Sequence, residues 1–258
     1  MNKKIFLFGL GIDRTDMNDA LRVSLEALEN HRRTVIYTPN LEMLNECNRN
    51  RDLKRLINSG DLLLPDGTGL MLVSKILGKG TIKPVAGIDF GHSLLTLAAK
   101  HGEKVFLLGG KPGVAERAAF NLKNEIPGLD ICGVGDGYFG SYDEERRIIE
   151  KIRSSGAAIL LVCMGFPKQE FWVAKRCAEI PDVSVFACLG GSLDVWAGDI
   201  PRAPRLLRSI HAEWLWRIAC EPERIPRFLH STRIIFSSIC QRVKNNTAVT
   251  KISVLKGK

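Results

Sequence analysis

Apolar positions along this chain fall into short unbroken runs, separated by stretches in which they recur every three or four residues. Lys4–Gly9, Thr34–Thr38, Leu62–Leu64, Val105–Leu108, Asp130–Val134, Ala157–Val162 and Val183–Cys188 are runs with little alternation between apolar and polar positions. That is the pattern of strands buried on both faces. The stretches between them read as helices. Thr15-Asp16-Met17 opens one that aligns Leu21, Leu25 and Leu28. Others cover Leu41–Cys47, Asp52–Ile57, Leu70–Leu77, Asp89–Lys100 and Val114–Asn124. A capping box at Ser141 and Glu144 opens a helix to Arg153, and another begins near Lys168 and reaches Ala178. Strands alternating with helices predict an α/β fold. The expected form is Rossmann-like, a mostly parallel sheet covered by helices on both faces.

After Ile200-Pro201-Arg202-Ala203-Pro204 the pattern changes. Two helical stretches follow, Arg205–Ala219 and Arg227–Val243, punctuated by Pro222 and Pro226. The first aligns Leu206, Leu207, Ile210, Trp214 and Ile218, and the second Phe228, Ile235, Ile239 and Val243. The expected organisation is an α/β catalytic domain over 1–200 and a basic, amphipathic helical appendage over 201–258.

Charge sharpens that division. The 258 residues carry a net charge of +9, and twelve Lys or Arg against three acids after residue 200 account for all of it. A neutral body with a basic end points to an anionic surface as partner. Basic residues, Trp214 and Trp216, and an apolar stripe fit a helix lying on a membrane, as well as a helix packed on the body with its arginines in water. Nucleic acid is not expected, because the body lacks a basic surface laced with aromatics. The longest apolar runs are far below the roughly 18 residues of a membrane span. Lys3–Leu10 loosely resembles a signal peptide, but Asp13-Arg14 follows at once, so it reads as the first buried strand. Seven scattered cysteines, with no Cys-x-x-Cys pair, suit reduced thiols. The five histidines form no ligand spacing. The expected location is cytoplasmic and peripheral on the inner membrane face.

Candidate chemistry collects at the strand ends. Asp61–Leu64 runs into Pro65-Asp66-Gly67-Thr68-Gly69 and then a helix. Asp66 therefore stands where a parallel sheet presents catalytic groups, and where a helix cap would also stand. Thr38, Asn40, Asp136, Tyr138, Lys168 and Gln169 end other strands or open their helices, and Asn40 can equally cap its helix. Gly109-Gly110-Lys111-Pro112-Gly113 joins a strand to a helix, a place for phosphate on backbone N–H groups. No Gly-Lys-Ser/Thr follows, so it is not a Walker loop. Gly9-Leu10-Gly11 is too short for a dinucleotide fingerprint. Asp194, after Gly190-Gly191-Ser192, can bind a ribose or cap a helix. No Asp-x-Asp pair stands by a strand to hold a metal.

Taken together, these stretches resemble the WecG/TagA/CpsF family, glycosyltransferase family twenty-six. The matching motifs are Thr38-Pro39-Asn40, Pro65-Asp66-Gly67-Thr68-Gly69, Val85-Ala86-Gly87-x-Asp89 and Leu107–Glu116. They continue through Asp136-Gly137-Tyr138-Phe139, Met164-Gly165-x-Pro167-Lys168-Gln169-Glu170, Gly190–Gly198, Arg202-Ala203-Pro204 and Glu213-Trp214-Leu215-x-Arg217. The resemblance implies an inverting, metal-independent transferase without a cofactor. Its donor would be a UDP-sugar, typically of N-acetylmannosamine or its uronic acid, and its acceptor a polyprenyl-diphosphate-linked sugar. By motif match Asp66 is the general base, with Thr38, Asn40 and Gln169 positioning the substrates. Gly109, Gly110, Tyr138, Gly165, Lys168 and Asp194 would line the UDP-sugar site, and Arg217, Arg224 and Arg227 would meet the lipid diphosphate. The glycine loops and the tail arginines would together receive the departing diphosphate. Where the family usually has Arg before Val-x-Gly this chain has Pro84, with Lys83 beside it. Self-association is left open. The competing readings are a nucleotide-dependent oxidoreductase and a non-catalytic lipid-binding module.

Overall fold

A computed structural model describes residues 3–204, 206–207 and 213–256. The side chains of Arg217, Arg224 and Arg227 and those beyond residue 243 lie outside the described part. Six strands form one parallel sheet: β3 (Thr34–Tyr37), β4 (Leu62–Leu63), β5 (Lys104–Gly109), β6 (Asp130–Gly135), β7 (Ile159–Cys163) and β8 (Val185–Cys188). Their order across the sheet is β4-β3-β8-β7-β5-β6, and every neighbouring pair is parallel.

Successive side chains of these strands enter opposite layers, as the pleat requires. Tyr37, Phe106, Leu108, Leu160, Val162, Phe186 and Cys188 join one core. That core is covered by α2 (Leu41–Arg49), α3 (Arg51–Asn58), α4 (Thr68–Ile76), α7 (Tyr142–Ser155) and α8 (Lys168–Arg176). Ile36, Val105, Leu107, Ile159, Leu161, Val185 and Ala187 join the other. Its cover is α1 (Met17–Glu29), α5 (Gly87–His101), α6 (Val114–Glu125) and α9 (Ser192–Trp196). The doubly covered, parallel α/β architecture read from the sequence is the one observed.

The first run departs from the expectation. Lys4–Leu7 (β1) does not enter the parallel sheet but pairs antiparallel with Leu10–Asp13 (β2) in a separate hairpin. Phe8 and Gly9, at φ 49° and 81°, supply the positive φ values that a two-residue hairpin turn needs. Gly9 is therefore a hairpin turn and not a ligand loop. The hairpin closes the edge of the sheet. Asp13, buried, accepts the Leu63 N–H of edge strand β4 at 2.9 Å and lies 3.6 Å from the Lys4 ammonium. Burial raises its carboxyl pKa, while the Leu63 bond and Lys4 oppose the rise.

Beyond the sheet, α10 (Glu213–Cys220) leads through a short 3-10 turn (Pro222–Arg224) into the long helix α11 (Ile225–Lys256). Pro226 does not break α11. It sits in the first turn, where a missing N–H costs no helical bond. α11 lies against α2 and α4. It buries Ser231, Ile234 and Ser238, and Ile234 enters the same core as Met43, Leu44 and Leu70.

Candidate active site

The carboxyl ends of the strands bring the predicted residues to one edge. The chain leaves β5 toward β6 on one side and leaves β7 toward β8 on the other. Open α/β sheets bind ligands at such a switch point. Glycine is required there by close approach. A Cβ on Gly109, at φ 142°, would fall 2.2 Å from the Cys163 carbonyl oxygen. Gly110 N–H donates to that carbonyl at 3.1 Å, and Gly137 N–H donates to Gly110 O at 3.1 Å. The Gly110 amide is thus engaged in joining three strand-end loops. No side chain caps the first turn of α6, which Gly113 opens.

Thr38, Asp66 and Gly87 meet on the other side of the edge. Thr38 is buried and its Oγ1 donates to Cys188 O at 2.9 Å, tying the end of β3 to the end of β8. Asp66 N–H donates to Pro39 O at 2.8 Å, which ties the β4 loop to the β3 loop. Asp66 does not cap the helix that follows it. The N-cap of α4 is Gly67, at φ 76°, with no side-chain cap. Instead Asp66 Oδ1 lies 3.4 Å from the Gly87 N–H at the start of α5, where a helix N-terminus favours an anion. A Cβ on Gly87 would meet Thr38 Cγ2 at 3.4 Å, so glycine here lets the two strand ends close on the helix. Asn40 caps α2, its Oδ1 accepting the Met43 N–H at 3.0 Å.

The opening of α8 adds a buried polar relay. Gln169 is 2 % exposed; its Oε1 accepts the Gly190 N–H at 3.0 Å and its Nε2 donates to Glu170 Oε1 at 2.7 Å. Lys168 donates through Nζ to Gly137 O and lies 5.6 Å from the Tyr138 ring and 5.0 Å from the Phe139 ring. One of its three N–H donors thus meets a carbonyl, with two aromatic rings beside the ammonium. Tyr138, 62 % exposed, offers its ring to solvent. A Cβ on Gly165 would meet nothing within 4 Å, so the space beside it is open. Asp194 lies half-buried in α9, with its carbonyl accepting the Asp199 and Ile200 N–H groups. Lys83, beside Pro84, is exposed and lies 3.9 Å from Asp16.

Sequence reasoning quoted Glu170 only as part of a motif and gave it no role. The available signal was its place on the buried stripe of α8, three residues before Val173. Burial pushes its carboxyl up to about 7, and the bond from Gln169 opposes the rise. A carboxyl raised on folding stabilises the protein fully below its unfolded pKa, about 4.3, and that stability is lost as pH rises through the folded value. Wild-type protein is expected to lose about 3 kcal/mol relative to Glu170→Gln between roughly pH 5 and pH 8. Urea unfolding across that range checks this, and a pH-independent difference between the two proteins contradicts it.

The sheet topology, the switch point and a half-buried carboxylate among glycine loops make the strand carboxyl ends the candidate site of this α/β fold. The family model described as "Glycosyl transferase WecG/TagA/CpsF family" matches residues 5–248. An N-acetylglucosaminyldiphosphoundecaprenol N-acetyl-beta-D-mannosaminyltransferase from Bacillus spizizenii is 34 % identical over 202 residues, covering 78 % of this chain and 77 % of its own length. This chain belongs to the WecG/TagA/CpsF family of glycosyl transferases. That membership displaces the oxidoreductase reading.

Proposed function

We propose that this enzyme transfers N-acetylmannosamine from its UDP-sugar to N-acetylglucosaminyl-diphosphoundecaprenol, with inversion at the sugar carbon. The observation that carries the reading is the named relative, aligned across more than three quarters of both chains. The chemistry asks for three things. A base takes the proton of the acceptor hydroxyl as its oxygen attacks the sugar anomeric carbon. The bond from that carbon to the UDP phosphate oxygen breaks on the opposite face. Positive charge or aimed donors receive the departing diphosphate. Asp66, beside Thr38 and the α5 N-terminus, is the base. Tyr138, Gly165, Asp194 and the glycine loops after β5 and β8 line the donor side.

The tail brings the enzyme to its lipid acceptor. Among the described residues no helix is long and apolar enough to cross a membrane. α11 nevertheless exposes Leu229, Phe236, Ile239 and Val243, and α10 exposes Trp214 and Leu215. Trp214 stacks on Phe228, with centroids 4.7 Å apart, which holds α10 and α11 together. These apolar groups and the basic charge of the tail fit an anionic phospholipid surface, with 1–200 as the catalytic unit. The test is a donor screen with a soluble lipid-diphosphate-sugar acceptor, reading released UDP. UDP-N-acetylmannosamine is the expected donor. Turnover only with its uronic acid, UDP-glucose or UDP-galactose would overturn the sugar assignment, which Pro84 makes worth testing. Activity is expected to survive EDTA; complete loss restored by magnesium would count against a metal-independent mechanism.

A further inference from the structure

Glu170, the third residue of α8, is fully buried, and the reaction as set out above does not use it. Its Oε1 accepts from Gln169 Nε2, while its buried Oε2 has no hydrogen-bond partner among the described residues. An unmet buried oxygen is costly, so the contact that Glu170 does make is the one to explain. Gln169 stands between that carboxyl and the Gly190 N–H. An amide placed between a donor and an acceptor has one orientation: oxygen to the donor, NH₂ to the acceptor. Glu170 supplies the acceptor. Without it, nothing on the α8 side holds the Gln169 oxygen toward Gly190.

Gly190 opens the turn into α9, and a Cβ there would meet nothing within 4 Å, so the turn faces open space. The end of β8 is gripped from two sides, by Thr38 on Cys188 O and by Gln169 on Gly190 N–H. We propose that Glu170 is a positioning residue, whose carboxyl orients the Gln169 amide and through it fixes the Gly190–Ser192 turn against the donor sugar-nucleotide. This rests on the transferase reading for the identity of the donor.

The test combines kinetics with backbone amide exchange at Gly190, which does not depend on turnover. Glu170→Met keeps the volume and removes the acceptor, and Glu170→Gln keeps an acceptor oxygen. For Glu170→Met, kcat/KM for the UDP-sugar is expected to fall about 10- to 100-fold, as for a misplaced site, with Gly190 exchange faster. Glu170→Gln is expected to stay within about threefold of wild type on both readouts. In a Gln169→Leu background, Glu170→Met should add nothing further, because its effect passes through Gln169. Wild-type kinetics and exchange in folded Glu170→Met, or an equal loss in Glu170→Gln, overturn the proposal. If Glu170→Met does not melt cooperatively, Glu170→Asp, which draws the carboxyl back by one methylene, decides by the same two readouts. A wild type that turns over no UDP-sugar condemns the transferase reading alone, and Gly190 exchange still judges the relay.

Discussion

Asp66→Asn is expected to lower kcat by about 10²- to 10⁴-fold, the range of a lost general base, with little change in KM or thermal stability. The substitution separates two roles that the position could serve. As a structural group, Asp66 accepts the Gly87 N–H at the start of α5. An asparagine carbonyl accepts the same bond, so Asn keeps the contact with the helix end while removing the negative charge and the capacity to take a proton. A purely structural Asp66 would leave Asn active and make Asp66→Ala the harmful change, through about 1 kcal/mol of lost capping. Initial rates of UDP release and thermal melts of both variants settle the matter. Asp66→Asn retaining more than about a tenth of wild-type kcat, less than 1.4 kcal/mol of barrier, would end the base assignment.

The core sheet is legible from the sequence because strands buried on both faces leave short unbroken apolar runs. β5, β7 and β8 are of this kind, and helices with 3.6-residue stripes bracket them. The hairpin is not legible for the same reason. Lys4–Gly9 reads as one buried strand, and the turn inside it is Phe8-Gly9, which lacks the Asn or Asp that would mark a reversal. The site divides in a similar way. That Gly109, Asp66 and Gln169 stand at strand ends is a matter of sequence order. What each touches depends on strands distant in sequence. Asp66 serves α5 rather than its own helix α4, because the β3, β4 and α5 ends converge only in the folded sheet. The Gly109 loop reads as a phosphate cradle, whereas close contact with Cys163 O already explains its glycine. Glu170 is hidden by its chemistry, since a charged residue beside Lys168 and Gln169 reads as surface.

Replacing Arg217, Arg224 and Arg227 together by Ala is expected to cut transfer to the lipid-linked acceptor by about 10²- to 10³-fold, the cost of losing a charge-stabilising donor. The expectation follows from what the sheet edge has left to offer a leaving diphosphate. Lys168 already donates to Gly137 O, and the Gly110 N–H donates to Cys163 O. The body carries no net charge, and the whole excess of +9 lies after residue 200. The tail, which carries all of the net positive charge, is the proposed source of charge for the diphosphate. The start of the tail is anchored beside α5. Arg202 pairs with Asp89 in the first turn of α5, the helix whose start meets Asp66, and Trp216 Nε1 donates to Pro201 O at 2.9 Å. Substituting arginines leaves those anchors and the packing of Ile234 in place, whereas deleting the tail would also uncover α2 and α4. The triple variant is thus expected to melt like wild type, and to lose transfer even to a short soluble acceptor that needs no membrane. Full turnover of that acceptor by the triple variant would place the diphosphate's partners elsewhere. Loss confined to acceptors in anionic vesicles, and relieved in neutral ones, would make the arginines membrane contacts and nothing more.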